Sequence, residues 1–179
     1  MLLHGLTGFL CGLGGWTLLE YVIHRPFGHL PGGKTLIARE HTRHHQDILY
    51  FSPVPLKIRG AVPVLAILGG GAALALDPAF ALGFVVAVAS GWTAYEVLHQ
   101  SIHVRGPRTW YGRWAAKNHL YHHFGRPNRN FGVTTPLWDF VFGTHDRVER
   151  VSLRERDLAA VPWLPDPKHL RDYEIRHAD

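Results

Sequence analysis

All 19 Lys and Arg residues of this 179-residue chain fall into two blocks, from Arg25 to Arg59 and from Arg105 onward. No cation precedes His24, and none lies between Gly60 and Ser101. The cation-free regions hold three apolar stretches. Gly5 to Ile23 carries Glu20 as its one charge, Gly60 to Leu76 carries none, and Ala79 to Leu98 carries Glu96 alone. Each approaches the ~20 residues that a helix needs to cross about 30 Å of hydrocarbon. A soluble protein with three buried helices is the alternative, but a small soluble domain has little with which to cover three such helices on every side. The first stretch lacks the basic start of a signal peptide and runs straight into histidine-bearing sequence.

Asp77-Pro78 separates the second and third stretches, and this pair is a strong turn signal. It predicts a tight helical hairpin. With three spans, both basic blocks emerge on one face, which the excess of Lys and Arg makes cytoplasmic. The chain start and the Asp77-Pro78 turn then lie on the opposite side. Beyond His103 the sequence predicts a helix over Trp110 to Phe124 and a loop over Gly125 to Pro136. A charged, proline-containing tail (150–179) is expected to pack over the cytoplasmic face. The expected fold class is all-α, an integral membrane protein with about three transmembrane or hairpin helices and a cytoplasmic helical cap. Residues 1–179 are expected to form a single domain. The lone Cys11 excludes an intramolecular disulfide and reads as a buried or lipid-facing thiol. A net charge of +5 and a pI near 9.7 suit a nucleic-acid partner, but no nucleic-acid motif accompanies them and none is expected.

Histidine is the outlier, with 14 copies gathered mostly into short clusters inside the chain. They are His24 with His29, His41 with His44 and His45, His99 with His103, and His119 with His122 and His123; His145 stands alone. Positions i, i+3 and i+4 share one helix face, so the members of the second, third and fourth clusters converge. His24 and His29 would diverge by about 140° on a continuous α-helix. Pro26 disfavours a continuing helix, so a helix ending near His24, with His29 returning from the next turn, is expected to bring the two together. In the three-span topology all four clusters lie at or beyond the same helix ends. Ten converging imidazoles repel if protonated and are costly to bury unpaired. Metal ions relieve both problems, since neutral imidazole ligates iron, zinc and copper. Ten ligands exceed one coordination sphere, so two ions with about five nitrogens each are expected. Glu20, Glu40, Glu96 and Asp139 are expected to accept hydrogen bonds from imidazole N–H groups. For Glu20 and Glu96, a helix-end carboxylate reaching toward the interface is the alternative. His145 is expected to support the site from behind the ligands or to lie at the surface. His29-Leu30-Pro31-Gly32-Gly33 loosely resembles the haem-binding loop of cytochrome b5, but its inserted leucine argues against haem, and no haem is expected.

The ordered set His24-x4-His29, His41-x2-His44-His45, His99-x3-His103 and His119-x2-His122-His123 resembles the fatty acid hydroxylase and sterol desaturase superfamily. Tyr95-Glu96-Val97-Leu98-His99 and the stretch Asn130 to Thr144 make the fatty acid 2-hydroxylase branch the nearest likeness, which covers about Leu19 to Thr144. The resemblance implies two iron ions, with zinc able to replace iron in purified material, and molecular oxygen. It implies a lipid substrate drawn from the bilayer and hydroxylation of a lipid or fatty acyl C–H bond. Many members carry an N-terminal cytochrome b5 domain. This chain begins without one, so a separate electron donor is expected, a cytochrome b5-like protein or a ferredoxin. A carotenoid or sterol hydroxylase or desaturase of the same chemistry is the nearest alternative, and a non-catalytic metal-binding membrane protein is the alternative of another class.

Overall fold

The computed structural model describes residues 1–29 and 33–176. Residues 30–32, in the middle of the His29–Gly33 stretch, and residues 177–179, at the end of the tail, lie outside the described residues. Helix α1 spans Leu2–Val22 and continues into a π-helical turn, Ile23–Gly28. Helices α2 (Leu36–Gln46), α3 (Val54–Ala75), α4 (Pro78–Val104), α5 (Trp110–Phe124) and the short α6 (Leu137–Val141) follow. Three stretches, Leu2–Gly28, Val54–Ala75 and Pro78–Val104, are long and apolar enough to cross a membrane.

Helices α1 and α4 form the centre of the membrane part, and glycine decides how closely they approach. A Cβ on Gly8 would stand 2.1 Å from the Phe80 carbonyl oxygen, and one on Gly83 would stand 2.1 Å from that of Gly5. Backbone therefore lies on backbone, the contact that small residues permit where lipid removes the hydrophobic drive for association. Higher up, Trp16 lies against Gly91. Helix α3 packs mainly on α4, with Gly69 against Val85. It runs unbroken through Pro63 and has no buried residue.

The predicted hairpin turn is present. Asp77 caps α4, accepting from the N–H groups of Ala79 (2.8 Å) and Phe80 (3.1 Å), and Pro78 occupies the first turn, where its missing N–H costs nothing. His4 Nδ1 lies 3.4 Å from Asp77, so the chain start and the hairpin tip share one end, as the charge pattern predicts.

At the other end sits the cap. Thr35 and Thr109 cap α2 and α5 by accepting from Ala38 N–H (3.1 Å) and Gly112 N–H (3.0 Å). Helix α5 has the limits expected from its sequence. The tail packs over the ends of α4 and α5, where Trp163 donates from Nε1 to the Ile102 carbonyl at 2.7 Å and covers Gly106, whose φ is +75°. Within this mostly helical molecule the tail adds one small feature, a two-stranded parallel sheet of β1 (Val151–Arg154) and β2 (Tyr173–Arg176). In β1 the buried Val151 and Leu153 alternate with more exposed neighbours, the period of a strand with one covered face.

Candidate metal centre

The ten clustered histidines gather at the cap end of the spans as two groups of five, each with its ring nitrogens within 4.8 Å of one another. The first group is His24, His29, His41, His45 and His122. The second is His44, His99, His103, His119 and His123. Each triplet is divided rather than sent to one place. His41 and His45 enter the first group while His44 enters the second; His119 and His123 enter the second while His122 enters the first. Helices α2 and α5 thus each serve both groups, and the rings of His45 and His123 meet between them with centroids 4.2 Å apart.

His24 and His29 reach one group by a route other than the one expected. The helix does not end at His24. It widens into the π turn Ile23–Gly28 with Pro26 inside it. The i→i+5 bonding of a π turn aligns residues five apart, and the wider turn accommodates a proline that a regular α-helix would exclude. The two rings stack with centroids 5.5 Å apart.

Three rings are oriented by backbone carbonyls. His24 donates from Nδ1 to Phe131, His44 to Tyr50 (2.9 Å) and His122 to Arg129 (2.8 Å). A carbonyl can only accept, so Nδ1 carries the proton and Nε2 presents a lone pair. The Nε2 atoms of His24 and His122 then face each other at 3.1 Å with two lone pairs and no proton between them. Protonation is no escape. Burial, with neighbouring imidazoles adding to it, holds His41, His119, His122 and His123 well below their usual pKa of 6.5. Burial also lowers His44 to about 4 and His45 to about 3. A shared cation would turn this repulsion into coordination.

The spacing fits that reading. Two nitrogens about 2.1 Å from one ion stand about 3.0 Å apart at right angles and about 3.4 Å apart at the tetrahedral angle. Neighbouring Nε2 atoms in the first group are 2.9–3.1 Å apart, and in the second 3.0–3.2 Å. The spacing is that expected of nitrogens around a common ion, nearer the right-angle value than the tetrahedral one.

The carboxylates act one step further out than expected. None of Glu20, Glu40, Glu96 and Asp139 hydrogen-bonds to any of the ten described rings. Asp139 accepts from the N–H groups of Phe131 (2.9 Å) and Gly132 (2.7 Å), and so fixes the carbonyl that orients His24. Glu20 accepts from the N–H groups of Val133 (2.6 Å) and Thr134 (2.9 Å) and from the Thr134 hydroxyl. Glu40 accepts from the Tyr50 hydroxyl at 2.7 Å, while the carbonyl of that same Tyr50 holds His44. Glu96 pairs with Lys57 and accepts from Trp92 Nε1 (3.3 Å). For Glu20, Glu40 and Asp139 the partners are loop residues, whose groups take up the carboxylates, while Glu96 is taken up by helical side chains of α3 and α4. His145 joins neither group; its ring lies 4.0 Å from that of Phe140, centroid to centroid.

Sequence reasoning passed over Phe131, which packs edge-on to His24 and His29, and Phe51, which touches His44, His99 and His103. Their aromatic character beside histidine clusters was the available signal. A cavity of about 430 Å³ opens between α1, α3 and α4 and reaches the cap. Its membrane part is walled by apolar side chains such as Leu19, Ile23, Val64 and Leu65, and it meets His24 and His41 of the first group and His44 and His99 of the second.

Three apolar spans topped by two adjoining imidazole groups define a histidine-rich membrane protein with side chains placed so that they could hold metal. Comparison with known proteins narrows that class. The fatty acid hydroxylase family profile matches residues 9–144, and the chain belongs to this family. It is 33% identical over 138 residues to a dihydroceramide fatty acyl 2-hydroxylase, FAH2, of Arabidopsis thaliana, covering 72% of this chain and 56% of that protein. With the fatty acid 2-hydroxylase of Rattus norvegicus the identity is 30% over 148 residues, covering 76% of this chain and 38% of the relative. The chain thus spans about half, or less, of these relatives' length. Among solved structures, full-length Scs7p, in which only the hydroxylase domain is visible, superimposes with a TM-score of 0.62 at 25% identity, over 82% of this chain and 57% of that one.

Proposed function

We propose that the protein is an O2-dependent hydroxylase of a lipid acyl chain, using two iron ions held by the two imidazole groups. The observation that carries this reading is the cavity, whose apolar part lies among the spans and whose inner end is formed by imidazoles of both groups. An acyl chain rising from the bilayer finds mostly apolar walls, with the Lys57–Glu96 pair among them, and imidazoles of both groups at its end. The relatives named as fatty acyl and fatty acid 2-hydroxylases support the substrate class.

Iron is preferred over zinc because activating O2 requires electrons to pass through the metal, and zinc has no accessible second redox state. When bound, the metal pair supplies the oxygen chemistry that no protein side chain can. One oxygen atom enters the C–H bond, and the other leaves as water with two electrons and two protons from outside. The chain's own residues do the rest. Phe131, Tyr50 and Arg129 carbonyls hold Nδ1–H groups so that Nε2 lone pairs point inward. Apolar cavity walls orient the substrate and keep water from the reacting carbon. A separate redox protein, such as a cytochrome b5-like protein or a ferredoxin, delivers the electrons. The excess of Lys and Arg in the two cation blocks supports a cytoplasmic position for the metal site and the tail.

The test is lipid mass spectrometry on cells with and without the protein. A product one oxygen atom heavier than its precursor is expected. A product two hydrogens lighter would replace hydroxylation with desaturation, and an unchanged lipid profile together with tightly bound metal would favour a non-catalytic metal protein.

A further inference from the structure

The loop from Asn130 to Thr144, with α6 inside it, leaves the cap and lies along α1. Trp138 donates from Nε1 to the Thr17 hydroxyl at 3.0 Å, and Phe142 stacks on Tyr21 with ring centroids 5.2 Å apart. Thr17 is five residues inside the end of α1, roughly 8 Å along the helix axis at 1.5 Å per residue. The loop therefore reaches the depth of the span. At that depth it turns outward Leu137, Phe140, Val141 and Phe142, each 50–61% exposed. Scattered apolar residues on a surface need no explanation, but four on one turn beside a membrane helix form a patch continuous with it.

Charge distribution agrees. From Asn130 to Thr144 the only charge is Asp139, which is 1% exposed. Cations and anions resume at once on either side, with Arg129 before the segment and Asp146 and Arg147 after it. The backbone meets the condition that such a position sets. Non-helical chain at membrane depth is tolerated only when its polar groups are satisfied by protein. Four successive N–H groups, Phe131 to Thr134, are received by two buried carboxylates, Asp139 and Glu20, and the Thr134 carbonyl accepts from the Tyr111 hydroxyl at 2.8 Å. The polar backbone of this stretch is thus satisfied by protein, as a position at membrane depth requires.

We infer that this segment is a fourth membrane-embedded element, a non-spanning wedge whose partner is the acyl region of the adjacent lipid leaflet. Trp110, 75% exposed at the start of α5 beside the Tyr111 that bonds the Thr134 carbonyl, adds an aromatic side chain of the kind favoured at the interface. The wedge ties the lipid to the site, because Asp139 within it fixes the carbonyl that orients His24. The inference rests on the membrane spans and not on the proposed reaction.

The test uses the protein in lipid nanodiscs. A photoactivated carbene reagent confined to the bilayer should modify residues 137–142 of the unsubstituted protein as strongly as exposed Leu6 and Leu10 of α1, while a water-soluble carbene reagent should spare them. A second measurement places a nitroxide on Phe140→Cys in a Cys11→Ser background. Collision with oxygen should exceed collision with a nickel chelate, as for Leu10→Cys and opposite to Arg150→Cys. Labelling by the water-soluble reagent, or a nitroxide that behaves like the one at Arg150, overturns the inference. Protection from both reagents overturns it as well, since another polypeptide would then cover the face.

Discussion

The two imidazole groups use one residue type and share two helices, yet they are held in different ways. In the first group His24 and His122 are aimed by hydrogen bonds to Phe131 and Arg129, both in the loop that follows α5, while His29, His41 and His45 remain partly exposed. In the second, four of five rings are buried, and only His44 donates to a carbonyl. The Nδ1 atoms of His103, His119 and His123 are buried without a described acceptor. Aromatic packing supports this group instead, with Tyr95 stacked on His99 and Phe51 touching His44, His99 and His103. One group is thus positioned by a loop and the other by a core. Metal affinity at the first should respond to changes in the loop, and at the second to changes in volume.

The comparison is broken most directly by removing one nitrogen from each group. His122→Ala and His44→Ala should each abolish lipid hydroxylation, and each should lower bound metal from two ions per chain toward one. The loss should exceed the 10–100-fold that removing a supporting contact costs. Metal analysis by mass spectrometry on the purified variants checks this. Unchanged metal content in both would dismiss the ligand assignment. The next effect in size separates the groups. Asp139→Asn keeps the shape but presents an NH2 group to the N–H of Phe131 or Gly132, leaving a buried donor unmatched at a cost of about 1–3 kcal/mol. His24 loses its fixed acceptor, so affinity at the first group should fall about 10–100-fold while the second group keeps its ion. Equal loss from both would show that loop and core are not independent supports.

That division was only partly visible in the sequence. The spans, the hairpin turn and α5 followed from charge segregation, Asp77-Pro78 and periodicity, all of them local signals. The sharing of ligands did not. On a helix His41 and His45 are about 40° apart and His44 lies about 60° to the other side of His41, so a split of the triplet is allowed, but which group each ring joins depends on where other helices stand. Pro26 pointed to a helix end, whereas the chain widens into a π turn, because the packing of His24 and His29 on Phe131 and on one another outweighs the local preference for a break. The acids were misjudged for the same kind of reason. Glu20 meets Val133 and Thr134 across more than a hundred residues, a contact that no spacing rule encodes.

Acid should act on both groups before it acts on the fold elsewhere. In metal-free protein His44 and His45 titrate near 4 and 3, against 6.5 for an unperturbed imidazole. Because the folded pKa is the lower one, the unfolded chain binds more protons between these limits, and stability falls as pH drops. Stability should be full above about 6.5, decline below it, and level off for these groups only near 4 to 3. Thermal unfolding in nanodiscs across that range measures the slope, and bound metal should suppress it, since coordinated nitrogens do not protonate. A slope unaffected by metal would place the titration outside the two groups.

The smallest expected effect probes the one loop hydrogen bond to the second group. Tyr50 holds His44 through its carbonyl and Glu40 through its hydroxyl. Tyr50→Phe removes the hydroxyl and leaves the carbonyl, so the loss is one hydrogen bond to a charged acceptor, about 1.5–3 kcal/mol at most and less at this partly exposed site. If packing sets the second group, both ions should stay bound with affinity changed by less than about tenfold, well short of Asp139→Asn, where a carbonyl's own support is lost. Competition with a chromogenic chelator resolves the difference. A drop at the second group as large as the one Asp139→Asn causes at the first would mean that Tyr50 holds His44 as firmly as Phe131 holds His24, and the contrast between a loop-held and a core-held group would fail at its weakest point.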